Sequence, residues 1–404
     1  MTISYADAVA LDAADELRRF REQFHTHDDP VAYLDGNSLG RPPRQTLRRV
    51  AEVLDHEWGE RLIRSWEERW VELPGQVGDR LADACLGAAP GQTVIADSTS
   101  VNLYKVLHAA CGLRPDRDEI VIDEADFPTD RYLVESVAEQ RGLAVRRVEA
   151  DPVAGVTAAD LDGVLGPRTA AVLLSHVDYR SGALVDLAVM TGRIHEAGAV
   201  AVWDLCHSAG VVPIGLDAAG ADFAVGCTYK YLNAGPGAPA FLYVARRHLD
   251  RVRQPVTGWW SAADMFAMAP EYEPAPSIRR MLSGTANVVG ITAVDEGVRM
   301  VAEAGVEEIR AKAVGLTDLC VDLTDAWLAP AGFQVASPRD AARRGGHVSI
   351  RCGRARELSA AMVRAGVIPD FRNPDLIRLG LSPLTTSYVE LWSAMDVVRR
   401  LVHR

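Results

Sequence analysis

The chain has 404 residues, 48 % of them hydrophobic, enough to bury a sizeable core, and its length predicts two or three lobes rather than one. A formal net charge of -12 and a pI near 5.4 argue against nucleic acid or an anionic membrane as the main partner, which leaves a small molecule. Six cysteines stand singly at positions 85, 111, 206, 227, 320 and 352. With no CxxC pair and no ligand-like spacing, they indicate neither a disulfide framework nor a metal site, and they fit a reducing cytoplasm.

The opening segment "MTISYADAVALDAADELRRF" carries acids where a signal peptide needs bases, and no apolar run approaches the ~20 residues of a membrane span. Residues 42 to 87 read as helical, rich in tryptophan and charge ("HEWGERLIRSWEERW"). From 92 to about 245, short β-rich runs ("TVIAD", "EIVIDEA", "LAVRRVEA", "TAAVLLSHV", "AVAVWD", "DFAVGCTYK", "PAFLYVA") alternate with helical segments such as "DLAVMTGRIHEAG". The alternation predicts a largely parallel α/β sheet whose nearly all-apolar strands are covered by helices on both faces. Residues 254 to 285 form an irregular inserted loop, and from 286 onward helices alternate with strand-like pieces ("HVSIRC", "LIRLGLS"). The organisation expected is a large α/β unit over 51–285 and a smaller α+β unit over 286–404, to which residues 1–50 contribute.

Within the sheet the informative stretch is "CTYKYLNAGPG", residues 227–237. Lys230 follows an apolar run and should sit at the carboxyl end of a buried strand, where open α/β sheets bind ligands. A lysine in so dry a place is a nucleophile or base, although strand-end lysines more often simply leave for solvent. The preceding run, "AVAVWDLCHSAG", ends in Asp204 with His207 three residues on. An aspartate and a lysine in one crevice suit a Schiff-base cofactor, with the lysine on its aldehyde carbon and the carboxylate on its pyridinium nitrogen. In "ADSTSVNLYKVLHAACG" the polar run Asp97 to Ser100 ends a strand and opens a helix, whose free amides favour a phosphate as well as a plain N-cap. "DFPTDRYLVESV" repeats the arrangement, with Phe127 able to lie on an aromatic cofactor and Asp130 at a helix start.

The blocks "YLDGNSLG", "RLIRSW", "DFPTDRYL", "SHVDYRSG", "WDLCHSAG", "DFAVGCTYKYLNAGPGAPAFLYV" and "PDLIRLGLSPL" together resemble kynureninases, fold-type I pyridoxal-phosphate enzymes, in the family's order from about residue 33 to 384. The resemblance implies a cytoplasmic homodimer that hydrolyses the Cβ–Cγ bond of L-kynurenine, its 3-hydroxy derivative, or both, to L-alanine and an anthranilate. It implies that Lys230 bonds to pyridoxal 5'-phosphate, that Asp204 pairs with the ring nitrogen, and that His207, Phe127 and Asp130 lie against the ring. Thr99, Ser100 and Tyr229 would serve the phosphate, and Ser175 the ring hydroxyl. Tyr229 is also placed as a proton relay. Trp259 and Thr285 match positions that reach the phosphate from the neighbouring subunit, giving shared active sites. Asn37, Ser38 and Trp66 would line the substrate end, and Arg378 would receive the substrate α-carboxylate through its guanidinium fork.

Two departures stand out. "GWWSAAD" lacks the histidine that usually follows this tryptophan in the family, and "PLT" stands where "PLY" is common. A cysteine desulfurase or aminotransferase of the same fold is the nearest rival, but those families resemble one another in placing histidine before the lysine, where this chain has Tyr229. The other alternative is a pyridoxal-phosphate-binding regulator without catalysis, which loss of Lys230, Asp204 or Arg378 would mark. All three are present.

Overall fold

Runs of β-branched and aliphatic residues between 92 and 245 form the seven strands of a central sheet in the computed structural model, which describes residues 3–25 and 32–402. The strands are β1 (Thr93–Ala96), β2 (Glu119–Asp123), β3 (Ala144–Val148), β4 (Thr169–Ser175), β5 (Val200–Asp204), β6 (Phe223–Gly226) and β7 (Ala240–Val244). Their order is β1-β7-β6-β5-β4-β2-β3. The five strands from β2 to β6 pair in parallel, and only β7 runs against its neighbours β1 and β6. Neighbouring residues serve opposite faces, as the two-residue period of a strand requires. Val172, Leu174, Ala201 and Trp203 enter one core, whereas Ala171, Leu173, Val200 and Val202 enter the other.

Helices between the strands fill those faces. Helix α2 (Thr99–Gly112) opens with Ser98, whose hydroxyl accepts from Val101 N at 3.3 Å. Helix α3 (Pro128–Arg141) starts on a proline with no amide to leave unpaired and stops at Gly142, φ +68°. Helix α4 (Leu187–Glu196) is capped by Asp186. One expectation needs correction: "LAVRRVEA" forms β3 at the sheet edge, where only Val148 of its five residues is buried. Its two arginines are exposed at the edge and carry ion pairs, Arg147 with Glu135 of α3 at 2.6 Å and Arg146 with Glu119 of β2 at 4.0 Å.

The run "DFAVGCTYK" also ends as a strand sooner than its composition predicts. Strand β6 stops at Gly226, where a Cβ would overlap the Phe241 ring, and the chain turns through 227–233. Thr228 Oγ1 donates to Pro239 O at 2.7 Å, Gly40 N donates to Tyr229 O at 2.8 Å, and Asn233 takes a left-handed φ of +55°. Lys230 is thus held on a pinned turn beyond the strand.

A second sheet of β8 (Gln334–Val335), β9 (His347–Arg351), β10 (Asp370–Arg372) and β11 (Leu376–Gly380) is antiparallel, in the order β10-β11-β9-β8. Helices α6 (Val306–Leu323), α7 (Ala355–Arg364) and α8 (Tyr388–Val402) cover it and share its core, including Leu316, Leu358, Ile377 and Leu391. The N-terminal segment joins this body. Helix α1 (Tyr5–Ala14) sets Tyr5 edge-on to Trp392 at 5.3 Å, and Ala32–Tyr33 pair in parallel with Val367–Ile368. Among the described residues no helix is long and apolar enough to cross a membrane.

Helix α5 (Val288–Ala304) runs beneath the lysine turn. A Cβ built on Gly297 would overlap the carbonyl oxygen of Leu232, so this glycine lets helix and turn touch backbone to backbone. Gly297→Ala should therefore destabilise the fold by about 1–3 kcal/mol, the usual cost of overpacking, seen as a lower urea midpoint. An unchanged midpoint would mean that the turn yields freely.

Candidate active site

The carboxyl ends of β4, β5 and β6 border a pocket of about 280 Å³. Of the sequence-predicted residues, Ser38, Thr99, Ser100, Phe127, Asp130, Ser175, Asp204, His207, Tyr229, Lys230 and Arg378 line it. Four further residues, Thr129, Tyr179, Cys206 and Arg372, complete the wall. Sheet register explains part of the convergence, since Ser175 at the end of β4 lies opposite Asp204 at the end of β5.

Only three lysines occur in the chain, at 105, 230 and 312. Lys105 and Lys312 are buried in ion pairs, with Asp97 at 2.6 Å and Asp15 at 2.7 Å. Lys230 faces the pocket instead, its Nζ 2.9 Å from His207 Nε2. Burial, and then the Lys230 charge, hold His207 well below the ordinary histidine pKa. A neutral His207 accepts at Nε2 and carries its own proton on Nδ1, which has no protein partner.

Two carboxyl groups, Asp130 and Asp204, line the pocket, and a third, Asp126, lies behind it. Asp126 Oδ1 accepts from Ser175 Oγ and from Phe127 N, each at 2.7 Å. Burial pushes Asp126 up to about 8, with the neighbouring Asp204 adding to the rise. Burial and the charge of Asp204 also raise Asp130 well above the carboxylate range. Asp204 Oδ1 accepts from Cys206 N at 2.6 Å. Burial and this crowding thus favour the neutral forms of Asp126 and Asp130.

At the other end, strand β11 delivers Arg378, which is 1 % exposed. Its guanidinium donates to Ser38 Oγ at 2.8 Å and to the Tyr179 carbonyl, and it pairs with Asp370 across the hairpin. With its amide turned to satisfy both neighbours, Asn37 accepts from Arg378 Nε at 2.8 Å and donates to Asp35. Asn37 therefore braces the arginine from behind and does not line the pocket. Phe127 is 40 % exposed, with the Tyr179 ring edge-on at 5.3 Å.

Trp66, Trp259 and Thr285 lie outside this pocket's wall. Trp66 and Trp259 instead join Trp70 and Trp260 in an aromatic cluster, with Trp66 centroids 5.9 Å from Trp259 and 5.1 Å from Trp260. Trp260, the second tryptophan of "GWW", is fully buried. Thr285 is exposed on the same inserted loop. That loop is tied back to the pocket, because Lys105 Nζ, paired with Asp97 at the mouth of α2, also donates to Met281 O at 2.9 Å.

The residues suit a pyridoxal phosphate. The exposed Phe127 face offers a stacking surface, Asp130 Oδ2 and His207 Nδ1 are buried polar atoms without protein partners, and Thr99 and Ser100 stand in the first turn of α2, where amides are free. Sequence reasoning did not find Asp126, whose part depends on Ser175 from another strand, nor Arg372 and Tyr179. Tyr179 was visible inside the block "SHVDYRSG" but bore no spacing signal of its own.

Comparison with known proteins decides the family. Residues 309–398 match the model of the kynureninase C-terminal domain. A kynureninase from Pseudomonas fluorescens is 41 % identical over 98 % of this chain and 95 % of its own length, and one from Burkholderia pseudomallei is 41 % identical over the same shares. The chain belongs to the kynureninase family. In fold it is similar to cysteine desulfurases from Thermococcus onnurineus (TM-score 0.80, 19 % identity, covering 93 % of this chain and 97 % of that one) and Escherichia coli (TM-score 0.82, 18 % identity, 96 % and 98 %). Those likenesses define the fold-type I architecture shared across the family and its neighbours.

The crowded carboxyls set a pH dependence. Asp126 keeps its proton in the folded state up to about 8, whereas the unfolded chain loses it near 3.8, so between these values folding takes up a proton and stability falls as pH rises. The cofactor-free protein should unfold at a lower urea concentration at pH 8 than at pH 5.5. Asp126→Asn, which mimics the neutral acid, should shrink that difference, with Asp130 supplying the remainder. An undiminished difference would place the proton uptake elsewhere.

Proposed function

We propose that this protein is a pyridoxal-phosphate-dependent hydrolase of the Cβ–Cγ bond of L-kynurenine, 3-hydroxy-L-kynurenine or both, releasing L-alanine and the corresponding anthranilate. The observation that carries the reading is the meeting of Lys230, Asp204 and Arg378 in one pocket of a chain 41 % identical to kynureninases along nearly all its length. Bound there, pyridoxal phosphate supplies an electron-accepting ring that stabilises carbanions at the substrate's Cα and Cβ.

The chain's own groups have separate tasks. Lys230 Nζ anchors the cofactor and, once freed by the substrate amine, takes the Cα proton. His207 lies beside it as a neutral acceptor and orients the amine. The Asp204 carboxylate holds a proton on the ring nitrogen, and the raised values of Asp126 and Asp130 prevent a second and third negative charge from competing for it. Thr99, Ser100 and Tyr229 receive the phosphate, with Ser175 at the ring hydroxyl and Phe127 against the ring face. The electrostatic influence of Cys227, then burial, raises the Tyr229 phenol above its ordinary range, so it keeps its proton and can donate it to the carbon that must regain one. Arg378, held in orientation by Asp370, Ser38 and Asn37, presents its fork to the α-carboxylate.

The protein works in this reading as a cytoplasmic homodimer. Trp66, Trp259 and Thr285, which lie away from the pocket of their own chain, complete the neighbouring subunit's site, as twofold pairing allows. Desulfurase chemistry is disfavoured by Tyr229 where that family's resemblance calls for histidine.

Purified holoprotein should convert kynurenine to fluorescent anthranilate and release no sulfide from cysteine. Arg378→Ala should keep the visible absorbance of bound cofactor while raising KM for kynurenine steeply, because truncating one member of a desolvated charge pair costs about 2–5 kcal/mol. Sulfide release without anthranilate would overturn the assignment. A KM that hardly moves would remove Arg378 from substrate binding.

A further inference from the structure

We propose that Cys206 and Cys227 form a dithiol modification site in the wall of the active-site pocket, oxidised by hydrogen peroxide to an intramolecular disulfide that shuts the enzyme off. The two cysteines are brought together by sheet register. Strands β5 and β6 are parallel with Asp204 opposite Val225, and Leu205 N donates to Val225 O at 2.8 Å, so the pairing continues past the strand ends. Cys206 and Cys227 lie two residues beyond that pair on each chain segment. Cys227 N donates to Cys206 Sγ at 3.2 Å, and Cys227 Sγ approaches Cys206 O at 3.8 Å. Side-by-side positions on paired strands meet the short Cα separation that a disulfide requires.

Their surroundings set them apart from the other thiols. Cys206 lines the pocket, with its Sγ 3.9 Å from Thr99 Oγ1, and its hydrogen bond with Cys227, then burial, hold its thiol well above the ordinary value; Cys85, Cys111 and Cys320 are packed in apolar cores, away from the pocket and from any second cysteine, where burial pushes their thiols up to about 12, 11 and 12. Burial resists ionisation of Cys227 too, but its hydrogen bond with Cys206 and the charge of Lys230 outweigh that and hold it below the ordinary value. A thiolate is the form that attacks an oxidised sulfur.

The chemistry closes in two steps. One sulfur of the pair takes one oxygen from hydrogen peroxide to give a sulfenic acid and one water; the other sulfur then attacks it, the S–O bond breaks and a second water leaves. Two thiols are oxidised and one peroxide is reduced to two waters. The new bond joins the residue two after Asp204 to the residue three before Lys230. It draws Cys206 from Thr99 and fixes the two loops against each other at the cofactor's edge.

The test treats holoenzyme with graded hydrogen peroxide, blocks remaining thiols with iodoacetamide, and maps peptides without reduction alongside turnover and cofactor absorbance. Expected is a Cys206–Cys227 cross-linked peptide, lighter by two hydrogens, that rises as turnover falls at least tenfold; dithiothreitol should reverse both. In Cys227→Ala, and separately in Cys206→Ala, the cross-link should vanish and so should the reversible loss, counted as the part that dithiothreitol restores after arsenite has reduced any lone sulfenic acid. The cross-link is read by mass alone, so it stands or falls independently of which substrate the enzyme prefers. If turnover falls while both cysteines remain alkylated by iodoacetamide, or if either variant keeps the reversible loss, the proposal is overturned.

Discussion

Charge crowding at the ends of the parallel strands governs this active site. Asp126, Asp130 and Asp204 are each less than a tenth exposed and close enough to perturb one another, and a dry wall cannot hold three negative charges side by side. Burial and this crowding raise Asp126 and Asp130, while the Asp204 carboxyl accepts from the backbone amide of Cys206. Everything that a cofactor needs from a carboxylate depends on that division. The parallel sheet makes it possible, because strands buried on both faces bring their carboxyl ends to one dry edge.

Cations are placed with equal economy. A chain with 43 basic residues has only three lysines, two of them neutralised in buried ion pairs, so the single primary amine at the pocket is Lys230. Arg378 comes from the second sheet and is fixed by Asp370 on the adjoining strand, by the Tyr179 carbonyl from the first sheet, and by Ser38 from the N-terminal segment. The arginine therefore ties three parts of the chain at one point. A shift of the second sheet relative to the first would move its fork, so domain packing bears directly on how the carboxylate end of the pocket is held.

The sheet was legible because its signal is local. Nearly continuous apolar runs, separated by capped helices, mark β1, β2 and β4 to β7, and the polar residues at or just beyond their ends, Asp204, Ser175, Thr99 and Lys230, are ones that reach the pocket. The lysine count was equally readable in the sequence and narrows the pocket amine to three candidates, of which the ion pairs of Lys105 and Lys312 leave Lys230. Asp126 and Arg372 were not legible, since each matters through a partner far away in sequence, Ser175 for Asp126 and Tyr179 for Arg372, and Asp370 meets Arg378 only through the register of its hairpin. Asn37 illustrates the same limit from the other side. Its block pointed to the substrate end, but the fold turns its amide onto Arg378 and away from the pocket. The tryptophans at 66, 259 and 260 could be read as aromatic anchors, yet only packing shows that they gather in one cluster off the pocket of their own chain.

The central claim is that the pocket amine of Lys230 is the covalent anchor of the cofactor. Reducing the holoprotein with borohydride and mapping its peptides by mass spectrometry tests this most directly, because the chain offers only three lysines to choose among. The account predicts that the reduced cofactor is attached to Lys230 alone, in stoichiometric amount, with Lys105 and Lys312 unmodified. Attachment at Lys105 or Lys312, or a holoprotein whose cofactor washes away after reduction, would contradict it.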